Sequence, residues 1–122
     1  MLKRIKGVLR TTGQEELTQQ IQYAESPIGE PVVLELELRD DVGIPVNLTG
    51  NVVRFRLYDH YGIKLYEVSK TVTTNGTQGV TSLAITLPNL RPKAYGWDIW
   101  YEVSGTKYQI VPVSVWKVAS TY

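Results

Sequence analysis

Apolar and polar residues alternate in two runs between Pro31 and Asp59: Val-Leu-Glu-Leu-Glu-Leu-Arg, ending at Arg39, and Val-Val-Arg-Phe-Arg-Leu-Tyr, ending at Tyr58. Successive side chains on a strand point to opposite faces, so Val32, Leu34, Leu36 and Leu38 share one face, as do Val53, Phe55 and Leu57. One buried and one wetted face is the signature of antiparallel layers rather than of a fully covered parallel sheet. On the wet face, Glu35 and Glu37 are expected to stand opposite Arg54 and Arg56. Gly43, Pro45 and the Leu48-Thr-Gly50 stretch mark the connection between the two runs.

The same grammar continues downstream. Asp59-His-Tyr-Gly62 reads as a hairpin turn, and Leu65 to Thr73 as a strand whose adjacent Leu65 and Tyr66 suggest a bulge or an edge. Asn75-Gly76-Thr-Gln-Gly79 carries the residues of a type I′ turn. Leu83, Ile85 and Leu87 form the inner side of the next strand. After a link from Pro88 to Ala94, Trp97, Ile99, Tyr101 and Val103 share one face and Asp98, Trp100 and Glu102 the other. Ser104-Gly105 fits a two-residue hairpin loop, and Pro112 predicts a bulge, break or edge in the last strand, Lys107 to Val118. About six or seven strands between turn signals predict an all-β antiparallel sandwich.

Residues 1–26 differ from this pattern. They carry Lys3, Arg4, Lys6 and Arg10, then a polar run in which Leu17 and Ile21 are the apolar pair at helical spacing. The expectation is an amino-terminal arm over 1–26 and a sandwich domain over 27–122, with the arm ordering on a neighbouring subunit. The chain has 122 residues, enough for one core, and its 13 basic and 12 acidic residues leave a net charge of +1. No overall field draws in nucleic acid or an anionic membrane. The absence of cysteine removes disulfides and thiolate chemistry. The first residues are basic without the apolar stretch of a signal peptide, and no run approaches the ~20 apolar residues of a membrane span, so neither export nor a membrane partner is expected.

Leu90-Arg-Pro-Lys-Ala-Tyr95 precedes the aromatic strand and resembles the tyrosine corner of Ig-like and fibronectin-type domains, in which a Tyr hydroxyl bonds back to the backbone. More broadly, Asp41, Gly43, Pro45, Leu48, Thr49, Gly50, Val53, Phe55 and Leu57, followed by Gly62, Gly79 and Tyr95, resemble the Ig-like amino-terminal module of phage baseplate upper proteins and related tailed-phage structural proteins. The resemblance runs from about Val32 to Val118. It implies a non-enzymatic virion component, assembled in the host cytoplasm, that docks one baseplate, tail, neck or head part onto another. The implied partners are other virion proteins and further copies of the chain.

Candidate chemistry is sparse. His60 is the single histidine and sits in a turn, so no metal or cofactor is expected. Ser69, Ser82, Ser104 and Ser114 lack the context of a nucleophile, and no catalytic residue is assigned. Asn47-Leu-Thr49 and Asn75-Gly-Thr77 read as turn chemistry. The aromatics carry more information: Trp97 and Trp100 fall on opposite faces of one strand, which leaves Trp100 outside the core. Trp100, Tyr108 and Trp116 are therefore taken as a shared interface patch, with Lys3, Arg4, Lys6, Arg10, Leu17 and Ile21 as contacts from the arm. The alternative is a carbohydrate-binding sandwich in which exposed Trp and Tyr rings stack on a glycan.

Overall fold

The computed structural model describes residues 2–9, 22–73, 76–88 and 90–120. Among these are eight strands: β1 (Leu2–Leu9), β2 (Tyr23–Pro27), β3 (Val32–Asp40), β4 (Val52–Tyr58), β5 (Lys64–Thr71), β6 (Val80–Ile85), β7 (Ala94–Val103) and β8 (Thr106–Ala119). They form a sandwich of two sheets, ordered β1-β3-β6 and β2-β8-β7-β4-β5. Placing β3 and β6 against β8, β7, β4 and β5 is the Ig-like arrangement.

Both alternating runs are strands with the expected inner faces. Val32, Leu34, Leu36 and Leu38 of β3 and Val53, Phe55 and Leu57 of β4 are buried. The two runs nevertheless lie in different sheets and face each other through the core. Glu35 and Glu37 therefore do not meet Arg54 and Arg56. The connection over 41–51 crosses from one sheet to the other, tied by the Val46 amide donating to the Leu38 carbonyl (3.1 Å) and plugged by fully buried Leu48.

An aromatic cluster from the five-stranded sheet sits in the core. Phe55, Trp97 and Trp116 lie with ring centroids 5.6 to 5.8 Å apart, the two indoles nearly perpendicular. The expected corner forms: Tyr95 is buried and its hydroxyl donates to the Arg91 carbonyl at 2.7 Å. Ser104 and Gly105 adopt positive φ (49° and 83°), the geometry of a two-residue hairpin turn between β7 and β8. The Asp59 to Gly62 hairpin also forms, with Asp59 Oδ1 accepting from the amides of Tyr61 and Ile63. β5 is an edge strand, and its pairing with β4 shifts register at Leu57/Tyr58.

Two local expectations change. Gly76 opens a 3₁₀ turn (Gly76–Gln78) rather than a type I′ hairpin. β5 and β6 belong to different sheets, so this loop crosses over and no hairpin can form there. Gly76 is needed for close approach, since a Cβ there would lie 2.7 Å from the Thr49 amide nitrogen.

Residues 2–9 and 22–26 do not form an arm separate from a domain at 27–122. β1 pairs in parallel with β3, and β2 in parallel with β8. Ile5, Ala24 and Ser26 are each 1% exposed. The indole Nε1 of Trp116 donates to Ser26 Oγ at 2.9 Å, joining β2 to the aromatic cluster. These parallel pairings add two strands to the expected antiparallel set.

Candidate functional site

The strands of the five-stranded sheet carry on their outer face a band of charged residues, a buried carboxylate and an apolar row. The charged band crosses β5, β4 and β7. Arg54 donates to Glu67 (2.9 Å) and to Glu102 (3.3 Å), and Lys64 donates to the second Glu67 oxygen. Lys64 and Arg54 hold the Glu67 carboxyl below its usual range. Arg56 Nε lies 3.8 Å from Glu67, with its guanidinium 6.0 Å from the Trp100 ring centroid.

Asp98 anchors the centre. It is 3% exposed, yet it points to the outer face because Trp97 and Ile99 on either side are in the core. A bulge creates its setting: Trp97 pairs with Ser114 and Ile99 with Val111, so Pro112 and Val113 both stand opposite Asp98. This is where Pro112 is accommodated, with its carbonyl accepting from Ser114 Oγ at 2.8 Å. Trp100 Nε1 (3.0 Å), Gln109 Nε2 (3.2 Å) and the Tyr58 hydroxyl (3.2 Å) all donate to the Asp98 carboxylate. Burial, with the carboxylate adding to it, pushes the Tyr58 phenol above its ordinary value and keeps it a donor.

Next to this network the face has a depression. Gly96 presents no side chain, and a Cβ there would lie 3.4 Å from Val113 Cγ1 and 3.9 Å from Tyr58 Cβ. Tyr58, Asp59, His60, Gly62, Gly96, Asp98 and Val113 line an open cleft of about 430 Å³. Beside it, Tyr23, Val113 and Val115 are 52%, 58% and 42% exposed. Direct pairing places Tyr23, Val115, Gly96 and Tyr58 in one row across four strands.

The residues expected to form one aromatic patch are not brought together. Trp100 is on the outer face, half-buried and paired with Gln109. Trp116 is fully buried, and so cannot be an interface anchor or one ring of a glycan platform. Tyr108 is 39% exposed but stands opposite buried Tyr101 rather than beside Trp100. Arg4 and Lys6 are exposed and pair in register with Glu35 and Glu37, the Arg4 contact being 3.6 Å. Their charges thus match β3 of the same chain instead of contacting a neighbour from a free arm. Lys3 is partly buried on β1. Arg10, Leu17 and Ile21 lie outside the described residues. His60 is an exposed turn residue whose ring lies 3.9 Å from that of Tyr61, and no cluster of metal-ligating side chains occurs among the described residues.

No protein-family model matches this sequence, and no curated protein matches it. Among solved structures, it is similar to the N-terminal domain of phage TP901-1 ORF48, with a TM-score of 0.58 over 98% of this chain and 99% of that one. This chain has the fold of that phage domain. Sequence identity to the ORF48 domain is 14%, so what the two share is the fold. The likeness bears out, at that level, the resemblance to phage β-sandwich modules carried by the Asp41 to Leu57 stretch and Tyr95. None of the outer-face row Tyr23, Val115, Gly96 and Tyr58 belongs to the positions that carry the resemblance.

Proposed function

We propose that this chain is a non-enzymatic structural component of a tailed-phage particle, and that the outer face of its five-stranded sheet is an assembly surface within that particle. The reading rests on one observation above the rest: its fold matches an individual phage protein domain from end to end, with no large insertion on either side. The site's chemistry agrees with docking. Its one buried carboxylate is occupied by three protein donors that fix its position, and the neighbouring surface is apolar, aromatic and mixed in charge. An exposed Tyr beside a depression, flanked by an Arg and Trp cluster, supplies the residue types that anchor protein interfaces.

The test uses the phage or prophage whose genome carries the coding frame. The tagged chain should band with particles in a density gradient, and an early stop codon should yield incomplete particles by negative-stain microscopy. Complete, infectious particles assembled without the chain would refute the proposal.

A further inference from the structure

We infer that the outer face of the five-stranded sheet pairs with the same face of a second copy, about a twofold axis running along the strands between β7 and β8. The row Tyr23, Val115, Gly96, Tyr58 carries this inference. Its two middle members are direct cross-strand partners, one protruding and one empty: Val115 is 42% exposed, and Gly96 leaves a depression. Rotation by 180° about an axis between them reverses the row. Val115 of each copy then enters the depression at Gly96 of the other, and Tyr23 of each lies over Tyr58 of the other. The row is complementary to its own reverse, which is what an isologous interface demands.

Other symmetric placements lose this match. An axis across the strands sets Tyr23 on Tyr23 and leaves Gly96 over Gly96. The proposed axis also brings Lys117, which pairs with Ala94, over Ala94 of the second copy, so these lysines do not meet. With ten residues of β7 facing β8 and five of β2 facing β4 in each copy, strands ~4.8 Å apart and ~3.3 Å per residue give an overlap of roughly 480 Å² per copy. A standard stable interface buries about 800 Å² per partner. An area below that size suits a reversible dimer rather than a permanent one.

This inference is independent of the particle reading, because it is tested on purified protein. Sedimentation equilibrium of the full chain over a range of concentrations should show a monomer–dimer equilibrium. Val115→Lys should weaken it by more than about tenfold, because a charge enters the apolar centre, while the circular dichroism spectrum stays unchanged. Gly96→Val alone and Val115→Gly alone should each weaken the dimer, and the double variant should restore it, since exchanging bump and hole preserves the self-complementary row. A wild-type chain monomeric at millimolar concentration would overturn the inference, as would a Val115→Lys chain that dimerises like wild type. If purified protein stays monomeric while Val115→Lys abolishes banding with particles, the face belongs to a different virion protein and the second-copy assignment fails.

Discussion

Replacing Ile5 by Ala tests whether the first strand is part of the core. Ile5 is 1% exposed on β1, in register with fully buried Leu36. The substitution removes three carbons, and at ~0.8 kcal/mol per buried methylene the transfer loss is about 2.4 kcal/mol. A rigid site would retain a cavity of up to ~80 Å³, adding about 2 kcal/mol at ~24 cal/mol per Å³. β1 is an edge strand that can settle inward, so the expected loss is about 3 kcal/mol, or roughly 9–15 °C in Tm for a domain of this size. Urea unfolding followed by tryptophan fluorescence reads it directly, because Trp97 and Trp116 are fully buried and report the packed core. Arg4→Ala is the control: its partner Glu35 is 3.6 Å away and its side chain is 78% exposed, so the loss should stay below ~0.5 kcal/mol. An Ile5→Ala midpoint as close to wild type as that of the control would refute the placement of β1.

Tyr95→Phe keeps the buried ring and removes the hydroxyl that donates to the Arg91 carbonyl, so stability should fall by about 1–2 kcal/mol. A thermal melt identical to wild type would show that water replaces the bond at no cost. The charged band predicts a pH dependence. Lys64 and Arg54 lower the Glu67 carboxyl in the folded state, so its stabilisation is complete above the ordinary value of 4.5 and is lost as pH falls through the lowered folded value. Glu67→Gln should therefore shrink the difference between urea midpoints at pH 7 and pH 3, and an undiminished difference would exclude Glu67 as a contributor.

Strand faces were legible because they are local. The alternation in Val32 to Leu38 and in Val53 to Leu57 requires only a period of two and one wet side, and burial follows it position by position. Sheet membership was not legible, because it depends on the path of the connection. Two amphipathic runs joined by a loop look alike whether they pair or face each other. The loop's apolar residues did not mark the crossing either: Val42 and Ile44 are exposed, whereas Leu48 is fully buried where the chain crosses the sandwich. β1 was hidden for a different reason. Its inward positions include Ile5 and Gly7, and a glycine contributes nothing to a hydrophobic period. A Cβ on Gly7 would lie 3.3 Å from both the Ile110 carbonyl and Leu38 Cδ1, so the strand seats there because that position is empty. The basic residues that suggested a free arm acquire their meaning only beside Glu35 and Glu37 of β3.

The faces of the residues expected at an interface were within closer reach of the sequence. A two-residue loop at Ser104-Gly105 makes Val103 the partner of Thr106, and counting back along both strands sets Tyr101 against Tyr108 and Trp100 against Gln109. Even-numbered positions of β8 therefore share a face with odd-numbered positions of β7, and Tyr108 and Trp116 belong on the side of Tyr101 and Tyr95, away from Trp100. The bulge at Pro112 and Val113 and the further shift beside Ile110 add two residues to β8 in total, so the parity beyond them is unchanged. The same count that removes Trp116 from the outer face puts Val113 and Val115 on it. Those two valines are apolar side chains on the wet side of a sheet, and they stand beside the depression at Gly96, whose Cβ position lies 3.4 Å from Val113 Cγ1.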